Sequence, residues 1–355
     1  LKKNPTDEAT ALQLGRLYLH HGERVKARAM LTQSRRHNPK SVKLWEMSVK
    51  AEDNLKQKIA LQRKLTKLFS KDPTHSITLA TLLIDDNLHD LARASLLPLT
   101  KHSEDAVRCL AFHQLARSFA AEKKYEDALL LLKQAEKLKS SLNPLVLFML
   151  RGRIHEEQKE FSLAFQAYEK AHAKDPKSRP ILSALIRVAK AGKDQSGAVR
   201  YLRHYIVRVG DDFDGLINAA NLAWGLERIE DAEELALRAR KQRFHSDIQR
   251  ILGLIALRRE NYEKALHHLS RAESTSDVLA GQMRAHLSMC DLTAASRSLD
   301  QMERLRIKPE GALLIPVTEV RLCLARKKEL LRAVRPSPKA RSGWVEVIDY
   351  LVCAE

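Results

Sequence analysis

One spacing, aromatic-x-x-Ala-x-x-x-apolar-x-x-Ala, recurs along the chain: YEDALLLLKQA at 125–135, FSLAFQAYEKA at 161–171 and YEKALHHLSRA at 262–272. Steps of three and four residues place these side chains on one face of a helix. A second small-and-bulky set precedes each: LARSF at 115–119, RGRIH at 151–155 and LGLIA at 252–256. Prolines punctuate the pattern at Pro39, Pro73, Pro144 and Pro176, the first two being 34 residues apart. Such a period points to repeated units that stack, since one unit cannot bury its apolar face alone. Composition agrees. Leu, Ala, Lys, Arg and Glu dominate, only 5% of residues are aromatic, and no alternating β-branched run with hairpin turns occurs.

These residues resemble the tetratricopeptide repeat (TPR), a pair of antiparallel helices A and B. The match runs through Leu14, Gly15, Tyr18, Ala27, Leu31 and Pro39 in the first unit. In the fourth it runs through Phe112, Leu115, Ala116, Phe119, Tyr125, Ala128, Leu132 and Ala135. In the fifth it is Phe148, Gly152, Phe161, Ala164, Tyr168, Ala171 and Pro176, and in the eighth Leu252, Gly253, Tyr262, Ala265, Leu269 and Ala272. The resemblance implies an all-α fold, a right-handed α-solenoid. Small residues of A and B are expected where the two axes cross. About nine units follow on this reading, at 8–41, 42–75, 76–108, 109–144, 145–178, 179–212, 213–245, 246–277 and 278–309. Single units vary. The second has Val49 and Leu61 at the crossing, which predicts wider helix separation, and the sixth has Ile186 opposite Ala198. The third places Ala92 after a one-residue shift and predicts a short helix A. The ninth rests on Ala295, Leu299 and Met302.

Residues 310–355 depart from the pattern and are expected to form a helical cap. Pro316 starts a helix-like run over 317–334, and Pro336 and Pro338 end it. Beyond them Trp344, Val347, Ile348, Leu351 and Val352 share one helix face, suited to covering the last apolar layer or to binding a partner. The chain begins with Leu1, so the true N-terminus, with any signal or domain, is expected to lie outside it.

Little in the sequence speaks for catalysis. Cys109, Cys290, Cys323 and Cys353 are far apart and form no CxxC pair, which argues against a zinc site and a disulfide framework and suits a reducing, cytoplasmic compartment. No phosphate-cradling or hydrolase template is present, so neither an enzyme activity nor a cofactor is expected. The adjacent His267 and His268 point about 100° apart on a helix and cannot easily chelate one metal. Both are expected to be solvated surface groups. His20 and His21 also lack a second ligand at helical spacing. Glu230, Asp231, Glu233 and Glu234 suit a solvated helix start. No run reaches the ~18 apolar residues of a membrane helix.

Charge carries the functional expectation. The formal net charge is +18, and both ends are basic. In the family, helix A lines the concave face, and the residue after its small position points into the groove. Along the units that position holds Arg16, Lys50, Ile84, Arg117, Arg153, Arg187, Asn221 and Leu254; five of the eight are Lys or Arg. His113, Lys190 and Arg250 lie beside it. Arginine forks bind carboxylates through paired hydrogen bonds, so the resemblance and this column predict a scaffold or adaptor that holds an acidic or extended peptide of a partner protein. Internal pairs such as Arg153 with Glu156 and Lys50 with Glu46 compete with that reading. The carboxylate clamp by which some family members hold chaperone tails is not matched: Asn221 occupies the Asn slot of one unit, but Ile217 stands where Lys is expected, and Ile251 stands where the next unit needs Asn. Two alternatives remain. One is polyanion binding, to RNA or an anionic surface, through RLRIK at 304–308 and ARKK at 325–328, although few aromatics are free to stack bases. The other is the adaptor part of a larger protein whose N-terminal domain is missing.

Overall fold

A computed structural model describes residues 7–138, 144–334 and 352. Among them every regular element is helical, and the backbone divides into two units, Leu1–Pro176 and Lys177–Glu355.

The first unit contains α1 (Glu8–His20), α2 (Arg24–His37), α3 (Val42–Ala51), α4 (Leu55–Leu68), α5 (Pro73–Asp85), α6 (His89–Leu96), α7 (Asp105–Ala121), α8 (Tyr125–Glu136), α9 (Leu145–Glu157) and α10 (Phe161–Lys174). The second contains α11 (Arg179–Ala191), α12 (Gln195–Val209), α13 (Phe213–Gly225), α14 (Ile229–Gln242), α15 (Ser246–Arg258), α16 (Tyr262–Leu269), α17 (Ser276–Ser288), α18 (Leu292–Arg304) and α19 (Leu314–Val334). Up to α18, each odd-numbered helix packs on the helix that follows it. Within a unit, odd-numbered helices also touch one another, as α5 does α7, α7 does α9, and α13 does α15. The fold is an all-α solenoid of stacked helix pairs.

The turns within pairs explain the regularity. Asn87, Lys123, Lys159, Lys193, Glu227, Glu260 and Cys290 all adopt the left-handed region, with φ between 56° and 62°. The next N–H reaches back to close the preceding helix: Lys124 to Phe119 O at 2.9 Å, Asp194 to Ala189 O at 2.8 Å and Asn261 to Ala256 O at 2.9 Å. This satisfies carbonyls that a helix end leaves open and reverses the chain in three residues. The α3–α4 turn is built differently. The buried Glu52 carboxylate accepts the N–H groups of Asp53 and Asn54 at 3.1 and 3.3 Å and holds Arg28 at 2.9 Å.

Packing refines the expected crossing. Ala27, Ala164 and Ala265 are fully buried, as their spacing requires. Gly152 and Gly253 of helix A, however, make room for the bulky residue four positions after that alanine, and Gly15 makes room chiefly for Met47 of the next pair. A Cβ on Gly152 would lie 2.5 Å from the Tyr168 ring, one on Gly253 2.7 Å from Leu269, and one on Gly15 3.3 Å from Leu31 and 2.6 Å from Met47.

Other expectations are corrected. Helix A of the third pair is not short: α5 runs 13 residues, and the truncated element is α6, which continues as a 3-10 turn over Leu97–Lys101. Pro73 opens α5 rather than closing α4, because proline fits the first helical turn, where its missing N–H costs nothing. The expected cap begins at Leu314. Leu313, Val317 and Val320 pack on Ala295, Leu299 and Met302 of the ninth pair. The face carrying Trp344, Val347, Ile348 and Leu351 lies outside the described residues, whereas Val352 packs on Leu292.

Candidate peptide-binding surface

In the first unit the odd-numbered helices present one coherent cleft, a hollow of about 220 Å³. Its apolar surface comes from Ile84 of α5, Ala120 of α7, and Leu150 and Ile154 of α9. Arg117 of α7, Arg153 of α9 and Lys123 of the α7–α8 turn supply three cations, against the single carboxylate of Glu157. Thus Ile84, Arg117 and Arg153, which hold the same repeat position in three successive pairs, line one surface. Ile84, one of the three column positions without a Lys or Arg, forms a wall here. Lys123 and Glu157 were missed, because the left-handed turn that brings Lys123 to the cleft has no glycine or asparagine to mark it.

The cations differ in freedom. Arg117 is braced by Gln114 Oε1 at 2.8 Å and by Asp85 Oδ1 at 3.3 Å, which ties α7 to α5. Arg153 is exposed. Its expected partner Glu156 accepts instead from Tyr168 Oη at 3.0 Å. Glu157 accepts from Tyr125 Oη at 3.0 Å. His113, one turn before Arg117, is half-buried. Burial, reinforced by the Arg117 charge, pushes its imidazole down to about 4, so at neutral pH it adds no positive charge. Arg16 and Lys50 are exposed on α1 and α3.

In the second unit the column is interrupted. Arg187 and Lys190 are exposed on α11. Lys190 Nζ leans toward Gly225, at the C-terminal end of α13, where a cation is favoured by the helix dipole. Arg250 is committed internally. Its guanidinium reaches Asp277 Oδ2 at 2.7 Å and hydrogen-bonds Asn221 Oδ1, with only 18% of the side chain exposed. Asn221 and Arg250 therefore brace α13, α15 and α17. Of the basic ends, Arg321 pairs with Glu303 at 3.1 Å. Among the described residues no helix is long and apolar enough to cross a membrane.

His268 requires a correction. It is 5% exposed rather than solvated, and its Nδ1 lies 2.7 Å from Gln249 Oε1. Three residues after Ala265, it is about 60° around the helix from a fully buried alanine. The same position is buried in other pairs, as Ala167, Tyr201, Leu235 and Ser298. His267 is exposed as expected.

A tetratricopeptide repeat-like domain model matches residues 33–189, and a tetratricopeptide repeat model matches 217–277. The chain belongs to the tetratricopeptide repeat family. No curated protein matches its sequence. Among solved structures, one titled Naa15/Naa10 bound to HypK-THB aligns with a TM-score of 0.55 and 11% identity, over 95% of this chain and 67% of that one. A tetratricopeptide repeat protein from Parabacteroides merdae aligns at 0.52 and 11% identity, over 70% and 98%. An APC/C Cut9–Hcn1 structure aligns at 0.45 and 14% identity, over 83% of this chain and 56% of that one, so the chain spans little more than half its length. The first two likenesses concern the fold. Tetratricopeptide repeats generally serve as non-enzymatic protein-interaction scaffolds, and that coarse role fits the chain.

Proposed function

We propose that this tetratricopeptide repeat protein is an adaptor that holds an extended, acidic segment of a partner protein against the odd-numbered helices. The observation that carries the reading is the cleft where Arg117, Lys123 and Arg153 surround an apolar surface of Ile84, Leu150 and Ile154. An acidic side chain would take the exposed fork of Arg153 and the braced fork of Arg117, while a neighbouring apolar side chain covers Leu150 and Ile154. Arginine suits this role because its planar fork loses little entropy per hydrogen bond formed. The net charge of +18 would speed encounter with an acidic partner at low salt. Exposed Arg16, Lys50, Arg187 and Lys190 extend the basic character of each unit. Arg250, Asn221 and His113 contribute to folding rather than to contact.

Fluorescence polarisation with peptide libraries tests this, comparing acidic–apolar peptides with their charge-reversed counterparts. Acidic peptides should bind, more weakly as salt rises, and Arg117→Ala with Arg153→Ala should lower affinity at least tenfold. Equal affinity for the double variant removes the cleft from the mechanism. Crosslinking from a photoreactive residue at position 153 in the native host identifies the partner.

A further inference from the structure

A second cleft, of about 470 Å³, opens in the second unit between α14, α15 and α16. It lies on the other side of the odd-numbered helices, where even-numbered helices of neighbouring pairs flank α15. Leu237, Leu252, Ile255 and Ala256 form an apolar wall, and Arg240, Arg259 and Lys264 bring three cations to it. Glu233 is the one carboxylate. It is consumed by a two-pronged pair with Arg259, at 3.0 and 2.7 Å. Arg240 and Lys264 have no ion-pair partner among the described residues and are exposed. Two positive charges are thus left uncompensated around one hollow.

We propose that this cleft binds a phosphomonoester, its dianionic head between Arg240 and Lys264 and its organic part against Leu237, Leu252 and Ile255. A phosphomonoester carries close to two negative charges near neutral pH and three strong acceptor oxygens, which matches the excess charge. A carboxylate would balance only half of it. The pair with Glu233 fixes the Arg259 guanidinium as a rigid wall of the site. The volume exceeds a bare phosphate, and the apolar wall accounts for the remainder.

His268 supplies a built-in reporter. It lines the cleft, and its Nδ1–H donates a hydrogen bond to Gln249 Oε1, leaving Nε2 as an acceptor. The charged groups around it are Glu233 and Arg240 of α14, Arg259 of α15, and Lys264, His267 and Arg271 on and after α16. Burial, aided by the like charges of His267, Arg240, Lys264 and Arg271, depresses its imidazole to about 4. A bound dianion reverses the local field and favours uptake of a proton at Nε2, so the ring resonances must move on binding.

The test titrates the full chain, with carbon-13-labelled histidine, with phenyl phosphate, inorganic phosphate, benzoate and a phosphoserine peptide. Binding is followed by calorimetry and by the His268 resonances. Phenyl phosphate should bind saturably at one site, more tightly than inorganic phosphate, and shift His268. The Arg240→Gln, Lys264→Gln variant should lose at least tenfold in affinity, while Lys241→Gln, on the same helix but outside the cleft, should not. Both altered cations are exposed, so folding is retained and circular dichroism verifies it. A phosphopeptide that binds more tightly than phenyl phosphate assigns the head to a phosphorylated partner; the reverse assigns it to a small molecule. The proposal is overturned if benzoate binds as tightly as phenyl phosphate, if the double variant binds like the parent, or if no saturable binding occurs.

Discussion

Replacing Gly152 with alanine should destabilise the first unit, against the rule that alanine favours helices. The added Cβ would lie 2.5 Å from Cε1 of Tyr168 and 2.7 Å from Cδ1 and Cζ. Carbon pairs are comfortable at about 3.5–4.0 Å, so the shortfall is about 1 Å. Tyr168 has nowhere to retreat. Its side chain is fully buried, and its hydroxyl is held by Glu156 at 3.0 Å. Overpacking of this kind costs about 1–3 kcal/mol. Alanine returns about 1 kcal/mol of helix propensity in an interior position such as this one. The balance is a loss of up to about 2 kcal/mol by these two effects. Urea unfolding followed by circular dichroism measures it, and hydrogen exchange of α9 and α10 amides localises it. The cause is separable. In a Tyr168→Ala background the ring is gone, so Gly152→Ala should become stabilising by up to about 1 kcal/mol. A higher urea midpoint for Gly152→Ala alone would refute the close-packing account of the repeat glycine.

Three further outcomes are expected. Lys193→Gly, at a turn residue with φ 62°, should stabilise by about 0.5–1 kcal/mol, because glycine adopts the left-handed conformation without steric cost; chemical denaturation reads it. Arg250→Ala should cost about 1–3 kcal/mol, since it takes the guanidinium from Asp277 Oδ2 and Asn221 Oδ1, whereas exposed Arg16→Ala should stay within about 0.5 kcal/mol. His268, depressed to about 4, binds its proton more readily unfolded than folded. The stability it contributes is therefore complete above about pH 6.5 and lost as pH falls toward 4, and at ~1.4 kcal/mol per unit of depression it amounts to at most about 3.5 kcal/mol. Thermal melts of parent and His268→Leu across pH 4–7 should converge or cross at the acid end.

The fold was legible because a stack repeats its contacts. Each contact recurs at a fixed chain spacing, so Ala128, Ala164 and Ala265 announce one packing position three times. Termini of elements were less legible. The α6 helix gives way to a 3-10 turn at Leu97–Lys101, where Pro98 removes a backbone donor, and nothing in the repeat pattern marks that change. The misplacement of His268 has a geometric origin. An even-numbered helix touches its own partner and also the next pair's odd-numbered helix, so its buried arc is wider than the two positions, Ala265 and Leu269, that define the pattern. A polar residue within that arc must find a hydrogen bond, and Gln249 provides it.

Charge was legible as composition but not as function, since the chain spends its arginines in three ways. Arg250 is spent on folding, because Asp277 and Asn221 lie on the next helices of the layer. Arg117 is shared: Gln114 and Asp85 set its direction while part of its guanidinium stays open. Arg240 meets no carboxylate among the described residues. All three read alike in one dimension, because the deciding partner sits a whole repeat away, 27 to 32 residues along the chain for Arg250 and Arg117. For a stacked-repeat protein, the search for binding residues therefore compares cations with carboxylates about one period distant, before any column of like charge is read as a surface. By that criterion Arg153, Arg240 and Lys264 rank above Arg250, an ordering that alanine substitutions can test by scoring stability and ligand affinity separately.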